Sequence, residues 1–165
     1  MIRIGVTGLA MVHPYTHRSI RRALIRVMRE YPVIHGVTCL LEGTDRIFVD
    51  AVRSLHGSFE AILPVPEISA APEEDRNLRL LLRHASDVTK MTAPGPPEAS
   101  FEAARREVVA RSDLMIAVWD GSVSDGHGEA AETVAWARRR GTEVRTVWPV
   151  GARPLPPAIV PLTAA

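Results

Sequence analysis

Leu114-Met115-Ile116-Ala117-Val118-Trp119 is the stretch of this 165-residue chain that decides the fold. Its residues are all apolar, so both faces of the strand that they predict are suited to burial. A strand buried on both faces is typical of a parallel sheet with helices packed on either side. The stretch therefore predicts an α/β protein with this strand in its core.

The segments around this stretch alternate between strand and helix patterns. The sequence predicts further strands at residues 2–7, 37–41, 59–63, 87–92 and 143–148. Apolar residues recur at helical spacing over 16–31, 47–55, 73–85, 98–111 and 129–140, the first of these helices with Thr16 as its N-cap. Such alternation predicts right-handed crossovers between parallel strands. We expect a Rossmann-like three-layer sandwich with a mainly parallel sheet.

Length and composition limit the organisation of the chain. We expect one Rossmann-like domain over residues 1–149, because 165 residues leave no room for a second large domain. Residues 150–165 are predicted to be a proline-rich tail, since the segment from Pro149 onward holds five of the 13 prolines. Cys39 has no second cysteine for a disulfide or a cysteine-rich metal site.

Composition also restricts location and partners. No apolar stretch approaches the roughly 20 residues of a membrane span, and no secretory leader precedes Ile2, so we expect a cytoplasmic protein without a membrane partner. Twenty basic and 19 acidic residues give a net charge of +1, which makes nucleic acid an unlikely partner unless a local patch exists. All of the Lys and Arg residues except Lys90 are arginine. Arginines that bind phosphate would explain this excess, and so would the codon bias of a GC-rich genome.

The residues that follow the strands are the candidate ligand contacts, because open parallel sheets bind ligands outside the carboxyl ends of their strands. Three loops qualify in this sequence. Their candidate ligand-binding residues are Thr7 and Gly8, then Glu42, Gly43, Asp45 and Arg46, then Asp120, Gly121, Gly126 and Gly128.

The same loops carry a family resemblance. Ile4-Gly5-Val6-Thr7-Gly8, Glu42-Gly43-Thr44-Asp45-Arg46 and the segment 112–121 resemble motifs of the SLOG superfamily of Rossmann-like proteins, which includes DprA/SMF and lonely-guy (LOG) proteins. The resemblance implies a nucleotide or nucleotide derivative as ligand, and a homodimer, since single-sheet proteins of this group commonly pair. LOG enzymes are phosphoribohydrolases that release a base from a nucleoside monophosphate. A DNA-associated module like DprA is disfavoured by the net charge.

Two positions depart from the family pattern. Relatives often continue the first turn as Gly-His-Arg, whereas Gly8 is followed by Leu9 and Ala10. Relatives also favour Gly-Gly-Thr at the start of the last long helix, where this chain has Gly128-Glu129-Ala130. A carboxylate there would repel phosphate, so either Glu129 points outward or the anion binds elsewhere.

The glycines of the third loop allow two interpretations. Bare amide groups at a helix N-terminus, approached through Gly121, Gly126 and Gly128, would bind an anion. Alternatively, the loop needs glycine only for positive φ angles.

The acidic residues are equally ambiguous. Glu129 and Glu132 lie three residues apart on one helix and are the candidate catalytic residues for cleavage of an N-glycosidic bond. Glu132 best corresponds to the glutamate that matters in LOG enzymes, yet two acids in a first turn also suit the helix dipole. Glu42, Asp45 and Arg46 suit ribose hydroxyls and phosphate, but Asp45 is also a plausible helix cap, and Asp120 has the same ambiguity.

The sequence predicts neither a metal site nor another cofactor, because His13, His17 and His127 have no metal-ligand spacing. Binding of a nucleoside monophosphate or an ADP-ribose type of ligand by a LOG-like domain is the first functional hypothesis. The alternative is an enzyme that hydrolyses or transfers across an N-glycosidic bond, of the phosphoribohydrolase or deoxyribosyltransferase type.

Overall fold

The computed structural model describes residues 1–65, 76–121, 128–149 and 151. Six strands and five helices alternate along these residues. The strands are β1 (Ile2–Thr7), β2 (Ile34–Thr38), β3 (Ser58–Pro64), β4 (Asp87–Met91), β5 (Leu114–Val118) and β6 (Glu143–Val147). The helices are α1 (Pro14–Met28), α2 (Thr44–Ser54), α3 (Arg76–Leu82), α4 (Pro97–Arg111) and α5 (Gly128–Arg140).

All six strands are parallel and form one sheet in the order β4-β3-β2-β1-β5-β6. Ile4 of β1 lies opposite Gly36 of β2 on one side and Leu114 of β5 on the other. Every residue of β5 is buried, as its apolar sequence predicts. The predicted α/β sandwich with a parallel sheet is confirmed.

Two hydrophobic clusters fill the space on the two faces of the sheet. On one face, Ile20 and Leu24 of α1 and Phe48 of α2 pack over the strands. On the other face, Ala104 and Val108 of α4 and further residues of α5 do the same. The helices therefore cover both faces, which makes three layers.

Strand β2 begins and ends three residues before the predicted range of 37–41. Its first residues are not a continuous apolar run, because His35 and Gly36 follow Ile34. A Cβ at Gly36 would come within 3.0 Å of the Phe48 ring, so α2 packs where a side chain is missing. Leu40 has a φ of 56°, which prevents the strand from continuing.

Helix α1 begins two residues before the predicted start, and Thr16 is not its cap. The N-cap is His13, whose Nδ1 accepts a hydrogen bond from the Tyr15 amide at 3.3 Å. The Thr16 hydroxyl instead donates to the carbonyl of His13 at 2.8 Å. Pro14 at the first helical position explains the earlier start, because its fixed φ favours a helix.

A buried ionic cluster joins strands and helix toward the amino ends of the strands; we call it the Glu60 cluster. The carboxylate of Glu60, a residue only 4% exposed, is paired with Arg3 of β1 and with Arg111 of α4, the latter at 2.8 Å. His35 Nε2 lies 3.5 Å from the same carboxylate and its Nδ1 lies 2.8 Å from the Ser58 hydroxyl. The cluster therefore links β1, β2, β3 and α4 at one edge of the sheet.

Candidate functional site

The candidate site lies at the opposite edge, where the strands end. From β1 the chain continues to β2, β3 and β4 on one side of β1, whereas β5 and β6 lie on its other side, so the strand order reverses between β1 and β5. Ligands of open parallel sheets bind in the crevice at such a reversal. The carboxyl ends of β1 and β5 are Thr7 and Val118.

A small cavity opens at this edge; we call it the inner cavity. It holds about 40 Å³, which is room for a few water molecules or one polar group of a ligand. Its walls come from the end of β1, the loop after β2, α2, α4 and the first turn of α5. The lining residues are Val6, Thr7, Gly8, Leu9, Ala10, Cys39, Leu41, Glu42, Asp45, Arg105, Val108, Glu129 and Thr133.

Gly8 and Gly43 are required by close packing beside this cavity. A Cβ on Gly8 would lie 2.6 Å from the Thr44 hydroxyl and 2.9 Å from Val118 Cβ. Gly43 has a φ of 78°, and a Cβ there would lie 2.3 Å from the carbonyl oxygen of Leu9. That carbonyl accepts the Thr44 amide at 2.9 Å, so the first amide of α2 is already bonded. Both glycines let the loop after β1 pack against α2.

Asp45 holds the loop after β2. Its carboxylate accepts the Thr38 hydroxyl at 2.8 Å and the backbone amides of Cys39 and Leu41. The N-cap of α2 is Gly43, without a side-chain cap, so the alternative in which Asp45 caps this helix is wrong. Burial raises the pKa of Asp45 to about 6, although these hydrogen bonds and nearby Arg46 lower it.

The loop that Asp45 holds contains a strained residue and a buried thiol. Leu40, which is only 2% exposed, takes a left-handed φ of 56°, and its amide donates to the Thr38 hydroxyl at 3.1 Å. Cys39 lines the inner cavity, and burial raises the pKa of its thiol well above the usual range. The thiol is therefore protonated at neutral pH, and it is a poor nucleophile.

Arg105 of α4 is a functional candidate that the sequence analysis missed. Its side chain is 13% exposed and lines the inner cavity. Nη1 lies 3.2 Å from Glu129 Oε1, and Nη2 lies 3.9 Å from Glu132 Oε2. The guanidinium also lies 5.9 Å from the ring centre of Trp136, within cation–π range. No hydrogen-bond partner for its buried Nε occurs among the described residues.

Arg105 changes the interpretation of the two candidate catalytic glutamates. Glu129 lines the inner cavity, whereas Glu132 lies outside its wall, although Arg105 brings both carboxylates to one guanidinium. Of the two predicted alternatives, the one in which Glu129 points outward does not hold, because Glu129 lines the inner cavity. Its repulsion of an anion is reduced by the ion pair with Arg105.

Glu42, which lines the inner cavity, pairs with Arg46. Their charged groups are 3.9 Å apart, with the Glu42 side chain 77% exposed. Both also line a wider, open cavity of about 310 Å³, which we call the outer cavity. Its other lining residues are Ala10, Met11, Val12, His17, Gly43 and Ile47.

The glycine-rich third loop is only partly described. Asp120 is exposed, and Gly121 has a φ of 88° with open space where a Cβ would be. The positive φ thus accounts for Gly121 without a close ligand. Gly126 lies outside the described residues, and Gly128 is the first residue of α5. Within the described ranges, no three His, Cys, Asp or Glu side chains are grouped as metal ligands.

The wall of the inner cavity carries more carboxylates than cationic groups. Its lining includes three carboxylates, those of Glu42, Asp45 and Glu129, and one guanidinium, that of Arg105. Carboxylates accept hydrogen bonds from sugar hydroxyls, while one arginine can bind a single anionic group. The wall therefore suits a polar ligand rich in hydroxyl groups better than a polyphosphate.

Solved structures share this architecture, while no protein-family model and no curated protein matches the chain. DNA processing protein A (DprA) from Streptococcus pneumoniae is similar over 88% of the chain, with a TM-score of 0.64 and 16% identity. DprA from Helicobacter pylori is similar over 93%, with a TM-score of 0.63 and 14% identity. The molybdenum cofactor carrier protein from Chlamydomonas reinhardtii is similar over 88%, with a TM-score of 0.53 and 16% identity.

The chain shares the parallel α/β fold of these structures. The resemblance predicted from the three loops is thereby confirmed at the level of fold. The chain spans half of the Streptococcus DprA chain, 68% of the Helicobacter one and 75% of the carrier protein. The inner cavity lies at the carboxyl ends of β1 and β2, next to the reversal of strand order between β1 and β5. No described helix is long and apolar enough to cross a membrane.

Proposed function

We propose that this chain binds a nucleotide or nucleotide derivative, such as a nucleoside monophosphate or an ADP-ribose type of ligand, across the inner and outer cavities. Arg105 is the observation that carries the proposal. It is a mostly buried cation, it lines the inner cavity at the carboxyl ends of β1 and β2, and it is held beside carboxylates on α5. A buried guanidinium beside a cavity is suited to a polar, partly anionic ligand.

The acidic wall defines how such a ligand would lie. Ribose hydroxyls would donate to Glu42 or Glu129, since both carboxylates line the inner cavity and are largely exposed. A phosphate would lie away from these carboxylates, toward Arg46 and His17 in the outer cavity. Thr7 and Gly8 contribute backbone at the floor, because they end β1 at the cavity.

A thermal-shift panel of nucleosides, nucleoside monophosphates and ADP-ribose tests the proposal. A ligand at 100 times its dissociation constant stabilises the folded state by about 2.7 kcal/mol, so at least one compound should raise Tm. Absence of any rise at millimolar concentration would contradict nucleotide binding.

The position of the phosphate can be tested at the start of α5. Replacing Glu129 and Ala130 by Gly and Thr removes a carboxylate from the cavity wall and adds a hydroxyl. We expect binding of a nucleoside monophosphate to improve by about 1 kcal/mol relative to the nucleoside, as measured by calorimetry. An unchanged preference would show that the carboxylate of Glu129 is not what keeps a phosphate away from the start of α5.

N-glycosidic cleavage is the second candidate, favoured by the pairing of Glu129 and Glu132 with one guanidinium. In such a reaction, water or another acceptor attacks the sugar carbon that holds the base, and the base leaves with a proton. A carboxylate would stabilise the cationic sugar. The resemblance points to Glu132, whereas of the two glutamates only Glu129 lines the inner cavity. Both Glu129→Gln and Glu132→Gln should therefore be assayed by chromatography for base release from nucleoside monophosphates. If wild-type protein releases no base from any of them, the enzyme hypothesis is wrong.

The expectation from net charge, which disfavoured nucleic acid as a partner, needs a correction. DprA from Helicobacter pylori, which has the same fold, binds single-stranded DNA. A net charge of +1 therefore does not exclude such a partner, and the distribution of charge has to be considered instead. The homodimer and the cytoplasmic location remain predictions.

A further inference from the structure

Helix α1 carries an exposed strip of arginines that the inner cavity does not use. The strip runs along the solvent side of the helix, and all of its residues are exposed. We call it the arginine ridge, and it consists of Arg18, Arg22, Arg26 and Arg29. At 3.6 residues per turn these residues fall within a strip about 80° wide and about 16 Å long. The opposite side of α1 is buried through Ile20 and Leu24.

The ridge is not neutralised by the rest of the described protein. α1 contains no acidic residue. The nearby carboxylates are held by other arginines, since Asp50 pairs with Arg21 at 2.5 Å and Glu30 pairs with Arg145 at 2.5 Å. Among the described residues, no carboxylate is within salt-bridge distance of a ridge arginine.

This arrangement is unfavourable for the isolated helix. Arg18, Arg22 and Arg26 are spaced at i, i+4 and i+8, so neighbouring like charges repel. Arg18 also lies near the N-terminus of α1, where the helix dipole disfavours a cation and where the first turn has no acid. Codon bias accounts for the number of arginines in the chain but not for their placement on one strip.

An aromatic pair stands at the start of the same strip. Tyr15 is 89% exposed and falls within the angular range of the ridge. Its ring stacks on that of His13 with centroids 4.9 Å apart and an interplanar angle of 21°. The exposed ring of Tyr15 is therefore a solvent-facing aromatic surface next to a row of cations.

We propose that the arginine ridge and Tyr15 bind single-stranded nucleic acid, with the phosphates along the ridge and a base stacked on Tyr15. Non-specific single-strand binding combines these two elements, a cationic track and an aromatic platform. A base in a duplex has no free face for Tyr15, which is why the observations favour a single strand. The proposal is independent of the nucleotide site, because no ridge residue lines the inner cavity.

Fluorescence anisotropy with a labelled oligothymidylate tests the proposal. Four phosphate contacts give a slope of about −2.8 in log K against log salt, or about a 50-fold loss of affinity between 50 and 200 mM salt. In the triple variant Arg18→Gln, Arg22→Gln, Arg26→Gln the slope should fall to about −0.7. The control triple variant Arg79→Gln, Arg83→Gln, Arg138→Gln removes the same charge from exposed positions elsewhere on the protein and should keep the wild-type slope. Equal effects of both triple variants would overturn the ridge as the site.

The aromatic element needs its own measurement. Tyr15→Ala should weaken oligothymidylate binding about fivefold or more, while Tyr15→Phe keeps wild-type affinity, because stacking requires the ring and not the hydroxyl. Tyr15→Ala should leave binding of a duplex unchanged. Nucleic acid as the ligand would be overturned if Tyr15→Ala had no effect on binding of the single strand. It would also be overturned if polyglutamate competed as effectively as unlabelled oligothymidylate, which would identify an anion-binding surface without base recognition.

Discussion

The two edges of the sheet both hold buried charge, but they satisfy it differently. At the amino edge, the carboxylate of Glu60 is surrounded by Arg3, Arg111 and His35, all from elements that it links. At the carboxyl edge, Arg105 faces carboxylates that are more than half exposed, with Glu129 69% exposed. The saturated cluster is structural, whereas the edge with charge left open to solvent is where a ligand can bind.

The backbone conformation also differs between the two edges: it is regular at the amino edge and strained at the carboxyl edge. The amino edge holds regular strands, with Arg3 opposite His35 and His35 opposite Ser58. The carboxyl edge holds Leu40 in a left-handed conformation. Strain of this kind persists where the surroundings impose it, often beside a functional site. Asp45 imposes it here through its bonds to the loop after β2.

Glu60→Gln gives the largest expected effect and would break the amino edge. It leaves Arg3 and Arg111, which are 36% and 26% exposed, without the buried carboxylate that they share, so the free energy of unfolding should fall by about 3 kcal/mol in urea denaturation. Glu107→Gln is the control, since Glu107 pairs with the same Arg111 at 2.7 Å but is 32% exposed. Its loss should be about 1 kcal/mol or less. Similar losses for both variants would contradict a structural role specific to Glu60.

Asp45→Asn should change how stability depends on pH. The pKa of Asp45 is raised to about 6 in the folded state, so the folded state binds more protons than the unfolded state between about pH 4 and pH 6. Wild-type stability from this group therefore falls as pH rises through that window. Relative to wild type, the variant should gain up to about 3 kcal/mol between pH 4 and pH 7. Parallel stability curves for the two proteins would show that Asp45 titrates normally.

Arg105→Gln should have the opposite profile to Glu60→Gln. It removes an ion pair with exposed carboxylates, so we expect a loss of about 1 kcal/mol in the free energy of unfolding. Binding of the nucleotide found in the thermal-shift panel should fall at least about tenfold, because a charged hydrogen bond is lost. A variant that binds as wild type does, or that loses as much stability as Glu60→Gln, would remove the distinction between the two edges.

Much of the fold could be predicted from the sequence, because it rests on local apolar spacing. The central strand β5 is apolar throughout, and its burial follows directly. The bounds of β2 could not be predicted, since Gly36 belongs to the strand only because Phe48 of α2 packs on it. The N-cap at His13 was missed because Thr16, three residues later, is the commoner capping residue.

The site was less predictable, because its contacts join distant parts of the chain. Its edge of the sheet follows from the rule that open parallel sheets bind ligands at the carboxyl ends of their strands, and Glu129, predicted as a catalytic residue, lines the inner cavity there. Arg105 gave no signal, because it is one of two adjacent arginines on an amphipathic helix and its partners lie on α5. The role of Asp45 in holding the loop after β2 depends on amides that only the folded backbone brings to it.

Titration of isotope-labelled protein with adenosine, AMP and ADP-ribose, followed by amide chemical shifts in NMR, tests the central claim most directly. Our account predicts saturable shifts at the inner cavity, in residues 7–10, 41–42 and 129, for at least one ligand. The amides of Arg3 and Glu60 at the amino edge should not move. The account is contradicted if none of the three ligands causes saturable shifts at millimolar concentration, or if the shifts centre on the amino edge.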